Sequence, residues 1–123
     1  MKFYKCDQCG KVVAIIDGQC MQTDCCMEHM HPLVEHEEDV TSEKHVPCLS
    51  FEEDGLHVKI GLLPHPANDK HYISWVYVEC YDGGQLKYLG CKSQPEAVFH
   101  VKKENVKRVY CYCNIHGLYK KEL

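Results

Sequence analysis

Five side chains in this chain are of the types that bind a redox metal, and they occur in short, distinctive contexts. Those contexts are Glu43-Lys44-His45-Val46-Pro47, Pro64-His65-Pro66, His71, and Cys113-Asn114-Ile115-His116-Gly117. Together they supply four imidazoles and one thiolate, with a lysine and a carboxylate beside the first histidine. A nitrogen-rich set with one thiolate and no obvious sixth ligand favours a redox iron with one position open to a small molecule. Structural zinc, in contrast, normally takes four ligands that are mostly cysteine.

A second candidate metal site consists of cysteines nearer the start of the sequence. Cys6-Asp7-Gln8-Cys9-Gly10 is a Cys-x-x-Cys knuckle, and the adjacent Cys25 and Cys26 complete a set of four thiolates. Side chains on consecutive residues diverge, so the angles at that end of the site should be distorted from tetrahedral. Zinc and iron both accept four thiolates, but zinc ribbons normally use two knuckles. We therefore favour an iron–thiolate centre, with a zinc ribbon as the alternative and Cys20 as a reduced thiol.

The ligands after residue 44 must be positioned by β-strands, because the sequence there has the pattern of short strands. Leu56, Val58 and Ile60 alternate with polar residues, and aromatic and β-branched residues dominate 72–81. Further strands are predicted at 85–89, 97–101 and 106–112, and no stretch has a persuasive 3.6-residue period. Several short strands separated by turns predict a mainly β protein whose larger part is an antiparallel sandwich.

Three segments are distinguished by their composition. Residues 1–36 hold half of the ten cysteines and one predicted strand at 12–16, and so few residues need a metal to fold. Residues 37–44 belong to a polar stretch without periodicity, which indicates a linker, and it carries Glu43 and Lys44. Residues 45–123 form the predicted sandwich. His29, His31 and His36 are interpreted as surface or packing residues.

Composition excludes several other classes of protein. The formal net charge of −4 gives no basic face for nucleic acid. No window has the roughly 18 apolar residues of a membrane span, and the first residues lack the apolar core of a secretory signal. Ten cysteines without a secretory signal favour metal binding in a reducing compartment, so we expect a cytoplasmic metalloprotein.

The motifs, taken in order, resemble those of desulfoferrodoxin, the two-iron class of superoxide reductase, whose first segment resembles desulforedoxin. The matching residues are Lys5-Cys6-Asp7-Gln8-Cys9-Gly10, Cys25-Cys26, Glu43-Lys44-His45-Val46-Pro47, Pro64-His65-Pro66, His71-Tyr72-Ile73, Pro95-Glu96-Ala97-Val98-Phe99 and Cys113-Asn114-Ile115-His116-Gly117. The resemblance covers essentially the whole chain. Met27 and His29 depart from the glycine and proline that are common in the family at these positions.

The resemblance implies two iron ions and a reaction. It implies that His45, His65, His71 and His116 bind one iron in a plane, that Cys113 binds it axially, and that the four-cysteine site holds the other, with zinc as a replacement metal there. It implies one-electron reduction of superoxide to hydrogen peroxide, with electrons from a small donor such as rubredoxin. Lys44 would attract superoxide, and Glu43 would bind the oxidised iron and help to displace product. A homodimer and an immunoglobulin-like sandwich are implied as well.

Other functions remain open from the residues alone. The chain could be a non-enzymatic electron carrier or metal-binding module that uses only its cysteines, or another mononuclear iron oxidoreductase acting on peroxide or dioxygen. Four more cysteines are interpreted as reduced thiols, and Cys111 is expected to point away from the iron. These four are Cys48, Cys80, Cys91 and Cys111.

Overall fold

The chain is built from β-strands in two compact units. The structure, a computed structural model, describes residues 1–18, 29–38, 45–61 and 66–123. These divide after Val34 into one unit of residues 1–34 and another of residues 35–123. Apart from a 3-10 turn at Lys103–Asn105, every regular element in the described ranges is a strand, so the protein is mainly β, as predicted. None of the helices in these ranges is long and apolar enough to cross a membrane.

The first unit is a small antiparallel sheet in the order β2-β1-β3. Its strands are β1 (Lys2–Cys6), β2 (Val12–Ile15) and β3 (Met30–Pro32). Phe3 is the only apolar side chain that is buried among the described residues of this unit, whereas Ile16 and Val34 are 89% and 69% exposed. One buried side chain gives little hydrophobic stabilisation, so this unit must gain stability from another source.

The second unit contains two sheets. One has five strands in the order β4-β11-β10-β7-β8, and the other has three in the order β5-β6-β9. Every strand pair is antiparallel except β4 with β11, which is parallel. The strands are β4 (Glu35–His36), β5 (Pro47–Glu52), β6 (Gly55–Ile60), β7 (Ile73–Cys80), β8 (Gly83–Tyr88), β9 (Glu96–Phe99), β10 (Val106–Cys113) and β11 (Gly117–Glu122).

Both sheets contribute to one hydrophobic core. Strand β6 contributes Leu56, Val58 and Ile60, which alternate with half-buried or exposed neighbours, as the sequence pattern predicted. The five-stranded sheet contributes four residues each from β7 and β10, together with Tyr119 of β11. The inner side chains of the five-stranded sheet are Ile73, Val76, Val78, Cys80, Val106, Val109, Cys111, Cys113 and Tyr119.

The turn between β5 and β6 brings backbone from a third strand unusually close. Gly55 has φ +131°, and a Cβ atom on it would lie 2.2 Å from the carbonyl oxygen of Phe99. Only glycine fits here, because the backbone conformation disfavours a side chain and no space is left for one. The contact holds the end of β9 against the start of β6.

Candidate metal centre

Four of the predicted ligands lie together, although they come from separate parts of the chain. His45 precedes β5, His71 precedes β7, Cys113 is the last residue of β10, and His116 lies in the turn before β11. One possible donor atom from each lies within 4.8 Å of the other three. In the described part of the chain, no other three or more Cys, His, Asp and Glu side chains come together in this way. We call these four residues the histidine–cysteine cluster.

The donor atoms of the cluster are spaced as ligands of one ion would be. Nε2 of His45 lies 3.1 Å from Nδ1 of His116, Nε2 of His71 lies 3.1 Å from Sγ of Cys113, and Sγ of Cys113 lies 3.8 Å from Nδ1 of His116. Metal–nitrogen and metal–sulfur bonds of about 2.1 and 2.3 Å that meet at a right angle separate their donors by about 3.0–3.1 Å. Imidazole and thiolate ligands together suit iron, so the residues present fit that ion.

The hairpin of β10 and β11 supplies two members of the cluster. Cys113 pairs with Gly117 at the end of the hairpin, and the intervening turn carries His116. The backbone N–H of His116 faces Sγ of Cys113 at 3.4 Å, so it offers that sulfur a hydrogen bond from within the same turn. Gly117 has φ +89°, a conformation that returns the chain into β11 and that glycine adopts without strain.

Two asparagines hold the backbone on both sides of His71. Oδ1 of Asn114 accepts a hydrogen bond from the N–H of Tyr72 at 2.8 Å, and its Nδ2 donates to the carbonyl of Lys70 at 2.9 Å. Oδ1 of Asn68 accepts from the N–H groups of Lys70 and His71 at 3.0 and 2.9 Å. Asn114 therefore fixes the turn of Cys113 and His116 to the segment that carries His71. Neither asparagine was predicted to have this role, although asparagine is typical of such turns.

His45 is fully buried and is in contact with two residues of the five-stranded sheet. Its ring stacks on Tyr119 with centroids 4.6 Å apart and planes 13° apart, and its carbonyl accepts a hydrogen bond from Sγ of Cys111 at 3.2 Å. The expectation that Cys111 points away from the site is therefore wrong. Residues two apart on a strand share a face, so Cys111 lies on the same side as Cys113. A fully buried imidazole beside two other imidazoles and a thiolate is suited to hold a cation.

Six cysteine, histidine, lysine and glutamate residues that were singled out from the sequence lie outside the described residues. They are Cys20, Cys25, Cys26, Glu43, Lys44 and His65. Cys6 and Cys9 are described. Cys6 is the last residue of β1 and Cys9 lies in the turn that follows, where the N–H of Gly10 donates to the carbonyl of Cys6. The backbone N–H groups of Cys9 and Gln8 point at the sulfur of Cys6 and lower its thiol pKa, which favours a thiolate ready to bind a metal.

The other three histidines considered from the sequence have the surroundings of surface or packing residues. Nε2 of His31 lies 3.1 Å from a carboxylate oxygen of Asp7, and Nδ1 of His29 lies 4.0 Å from the other oxygen. Both histidines are largely exposed. The ring of His36 on β4 packs against Tyr119, with centroids 5.1 Å apart. None of the three belongs to the histidine–cysteine cluster.

Comparison with known proteins gives consistent matches over most of the chain. A family model described as Desulfoferrodoxin matches residues 37–122. Desulfoferrodoxin from Desulfarculus baarsii is 36% identical over 122 residues, which cover 99% of this chain and 96% of the relative. Superoxide reductase from Pyrococcus horikoshii is 33% identical over 103 residues, which cover 69% of this chain and 90% of the relative.

A solved structure has a similar fold over nearly the full length. The superoxide reductase from Treponema pallidum superimposes with a TM-score of 0.79 at 25% sequence identity. The match covers 98% of this chain and 97% of that chain. The fold is therefore like that of a superoxide reductase.

Proposed function

Because this chain belongs to the desulfoferrodoxin family, we propose that it is a superoxide reductase. The reaction consumes one superoxide, one electron and two protons and yields one hydrogen peroxide. The observation that carries the proposal is the histidine–cysteine cluster, in which three imidazoles and a thiolate converge within 4.8 Å. His65 would add the fourth imidazole to this set.

The cluster residues have distinct tasks in the proposed reaction. His45, His71, Cys113 and His116 would hold iron, and iron bound there supplies the single electron that superoxide takes. Cys113 would provide the one thiolate among these ligands, and electron density from its sulfur would make bound iron a stronger electron donor. The N–H of His116, 3.4 Å from that sulfur, would moderate this donation, because a hydrogen bond draws negative charge on the sulfur toward the donor.

Lys44 and Glu43 would act on the substrate and the product. A formal net charge of −4 repels an anionic substrate, so a cation next to His45 in the sequence would raise the local concentration of superoxide. The ammonium group of Lys44 would also stabilise negative charge that develops on the oxygens during reduction. Glu43 would complete the ligand shell in the oxidised resting state and help to displace peroxide.

We assign the first segment as a second metal site of the desulforedoxin type, which makes the protein a two-iron member of the family. Cys6, Cys9, Cys25 and Cys26 would hold iron, or zinc in its place. The lowered pKa of the Cys6 thiol and the near absence of a hydrophobic core in the described residues of the first unit support a bound metal. In this scheme residues 1–36 form the metal module, 37–44 the linker, and 45–123 an immunoglobulin-like sandwich.

The partners that we propose are a second copy of the chain and a rubredoxin-like electron donor. The exposed apolar side chains of Ile16 and Val34 favour a homodimer, in which they would be covered. Ile115 is 56% exposed and adjoins His116 in the sequence, so it offers an apolar contact for a donor. A cytoplasmic location fits the reduced thiols of Cys48, Cys80 and Cys91.

The test is the reaction of the anaerobic, iron-loaded protein with a pulse of superoxide. We expect one peroxide for each superoxide consumed and no dioxygen, whereas dismutation would release dioxygen. His45→Ala should abolish rapid consumption, while a carrier that uses only its cysteines would behave as before. Dioxygen among the products, or consumption no faster than spontaneous dismutation, would contradict the proposal.

A further inference from the structure

We propose that Tyr119 is a positioning residue for His45, acting with its cross-strand neighbour Cys111; this inference rests on the proposed metal site. Tyr119 on β11 lies directly opposite Cys111 on β10 in the strand register. Both contact His45, one through its ring and the other through its backbone carbonyl. Together the two residues therefore fix both the backbone and the ring of His45.

The ring of His45 needs to be held by neighbouring groups, because an imidazole rotates easily about the bond that joins it to the rest of the side chain. The torsion that turns a histidine ring has broad minima, so a ring is not held in one plane by its own rotamer preference. A metal-binding histidine is normally oriented by a second group, most often one that accepts a hydrogen bond from its other ring nitrogen, and this orientation is part of the affinity. The Tyr119 ring lies almost parallel to that of His45, at 13° and 4.6 Å, and a flat partner of this kind resists rotation.

Orientation of His45 matters because its Nε2 faces Nδ1 of His116 at 3.1 Å. The two rings meet edge to face at 73°, so a rotation of the His45 ring would move Nε2 away from the point that the cluster shares. Tyr119 is itself fully buried, which keeps its ring in place. The position of the Tyr119 ring therefore determines the orientation of the His45 ring in the cluster through one stacked contact.

Tyr119 also contacts a ring on the other side of the linker. His36 pairs with Tyr119 in the parallel register of β4 and β11, and their ring centroids are 5.1 Å apart. His36 and His45 are therefore both held against the same side chain, one at each end of residues 37–44. The contact with His36 helps to hold the Tyr119 ring in place against His45.

The experiment measures metal affinity in the full chain, followed at the visible bands that His45→Ala removes, because those bands belong to the histidine–cysteine cluster. Cobalt(II) binds imidazole and thiolate ligands, and its visible bands report their geometry. Affinity is measured by chelator competition at a temperature well below unfolding. Tyr119→Phe keeps the ring and should stay within about twofold, whereas Tyr119→Leu should bind about 10- to 100-fold more weakly with shifted bands.

Tyr110→Leu is the matched control. Tyr110 is also fully buried in β10 but packs on Tyr77 and donates its hydroxyl to Glu79. This variant should lose stability yet keep cobalt affinity within about twofold. Equal affinity and an unchanged spectrum in folded Tyr119→Leu would overturn the inference, and so would an equal loss in Tyr110→Leu.

A second variant decides the question if Tyr119→Leu does not fold. Cys111→Ala removes only the thiol that donates to the carbonyl of His45, and it should weaken cobalt binding about fivefold, the size of one neutral hydrogen bond. Unchanged affinity would then overturn the inference. If the parent chain binds no cobalt, or if His45→Ala binds it equally well, the proposed metal site fails instead.

Discussion

Nε2 of His45 and Nδ1 of His116 lie 3.1 Å apart, although 71 positions separate the two residues in the sequence. His45 leads into the three-stranded sheet, and His116 lies in a hairpin of the five-stranded sheet. The centre consequently exists only when both sheets of the second unit have assembled. Substitutions that change how these two sheets pack on each other should therefore weaken metal binding.

Replacing the thiolate of the cluster should remove one metal and leave the other. Cys113→Ser takes away the only sulfur among the four cluster residues, so we expect about half of the iron to be lost together with the sulfur-to-iron absorption of this site. Iron analysis and visible spectroscopy of the oxidised protein provide the measurement. Cys91→Ser alters a thiol outside the cluster and should retain both metals. Full iron content in Cys113→Ser would show that the thiolate does not bind it.

Asn114 should control the affinity of the site although it offers no ligand in the cluster. Asn114→Ala removes the hydrogen bonds to Tyr72 and Lys70, which flank His71, and should weaken metal binding about 10- to 100-fold. The control is Asn105→Ala, whose side chain donates to Asp82 on an exposed turn. Isothermal titration of both apo variants with iron(II) compares them. Similar affinities would mean that Asn114 does not orient His71.

Lys44 should affect the encounter with superoxide more than the binding of iron. Lys44→Ala removes a positive charge next to His45 in the sequence, so the second-order rate constant should fall and should depend less on ionic strength. Pulse radiolysis at two salt concentrations measures both effects. Lys59→Ala removes a charge from the exposed face of β6 and should have little effect. Identical kinetics in Lys44→Ala and the parent would exclude Lys44 from the mechanism.

The close approach at Gly55 gives a prediction about stability. Gly90 also has a positive φ, +112°, but a Cβ atom there would meet nothing within 4 Å. Gly90→Ala should therefore cost only the backbone strain, about 1–2 kcal/mol. Gly55→Ala adds a clash with the carbonyl of Phe99 and should cost at least about 3 kcal/mol. Urea unfolding measures the two, and equal losses would mean that β9 moves aside freely.

Tyr110 should make the fold sensitive to alkali. Burial raises its pKa to about 12, whereas an unfolded chain releases this proton near pH 10. Between these values the folded state holds more protons than the unfolded state, so the free energy of unfolding falls as pH rises, by up to about 1.4 kcal/mol per pH unit. Below pH 10 this contribution is constant.

Urea unfolding at pH 9 and pH 11 tests this. Tyr110→Phe has no hydroxyl to ionise, so its free energy of unfolding should fall less between these two pH values than that of the parent. Tyr81→Phe changes a residue that is 73% exposed and should show the same fall as the parent. A slope that is the same in Tyr110→Phe and the parent would contradict the burial argument. Some slope should remain in every variant, because burial also raises the pKa of Tyr77 and of Cys80.

The sequence was most informative where a pattern is local. Alternation at Leu56, Val58 and Ile60 identified β6, and the run at 72–81 identified β7. Strands β5 and β11 were missed, because Pro47–Glu52 and Gly117–Glu122 have weak alternation and are held as strands by pairing with neighbours. Sheet order and the parallel pairing of β4 with β11 depend on contacts between distant segments, which no local pattern encodes.

The candidate site, like the fold, could be predicted from the sequence only in part. The ligand types were recognisable because histidine and cysteine are chemically distinctive, and family motifs placed them. The residues that hold those ligands were not recognised, because Asn114, Asn68 and Tyr119 are ordinary turn or core residues in isolation. Their roles arise from where the chain brings them, as in the stack of Tyr119 on His45. The prediction for Cys111 was wrong because residues two apart on a strand lie on the same face, whereas Cys111 was placed on the face opposite to Cys113.

The four cluster residues are far apart in the sequence, and this also determines when the protein can bind a metal at the cluster during its synthesis. Domains form from the N-terminal side as the ribosome makes the chain. His45 and His71 emerge early, but neither faces a complete partner set until Cys113 and His116 have followed and β10 has paired with β11. Cys6 and Cys9 emerge far sooner. The cysteine site that we propose for the first segment would therefore be complete before the histidine–cysteine cluster.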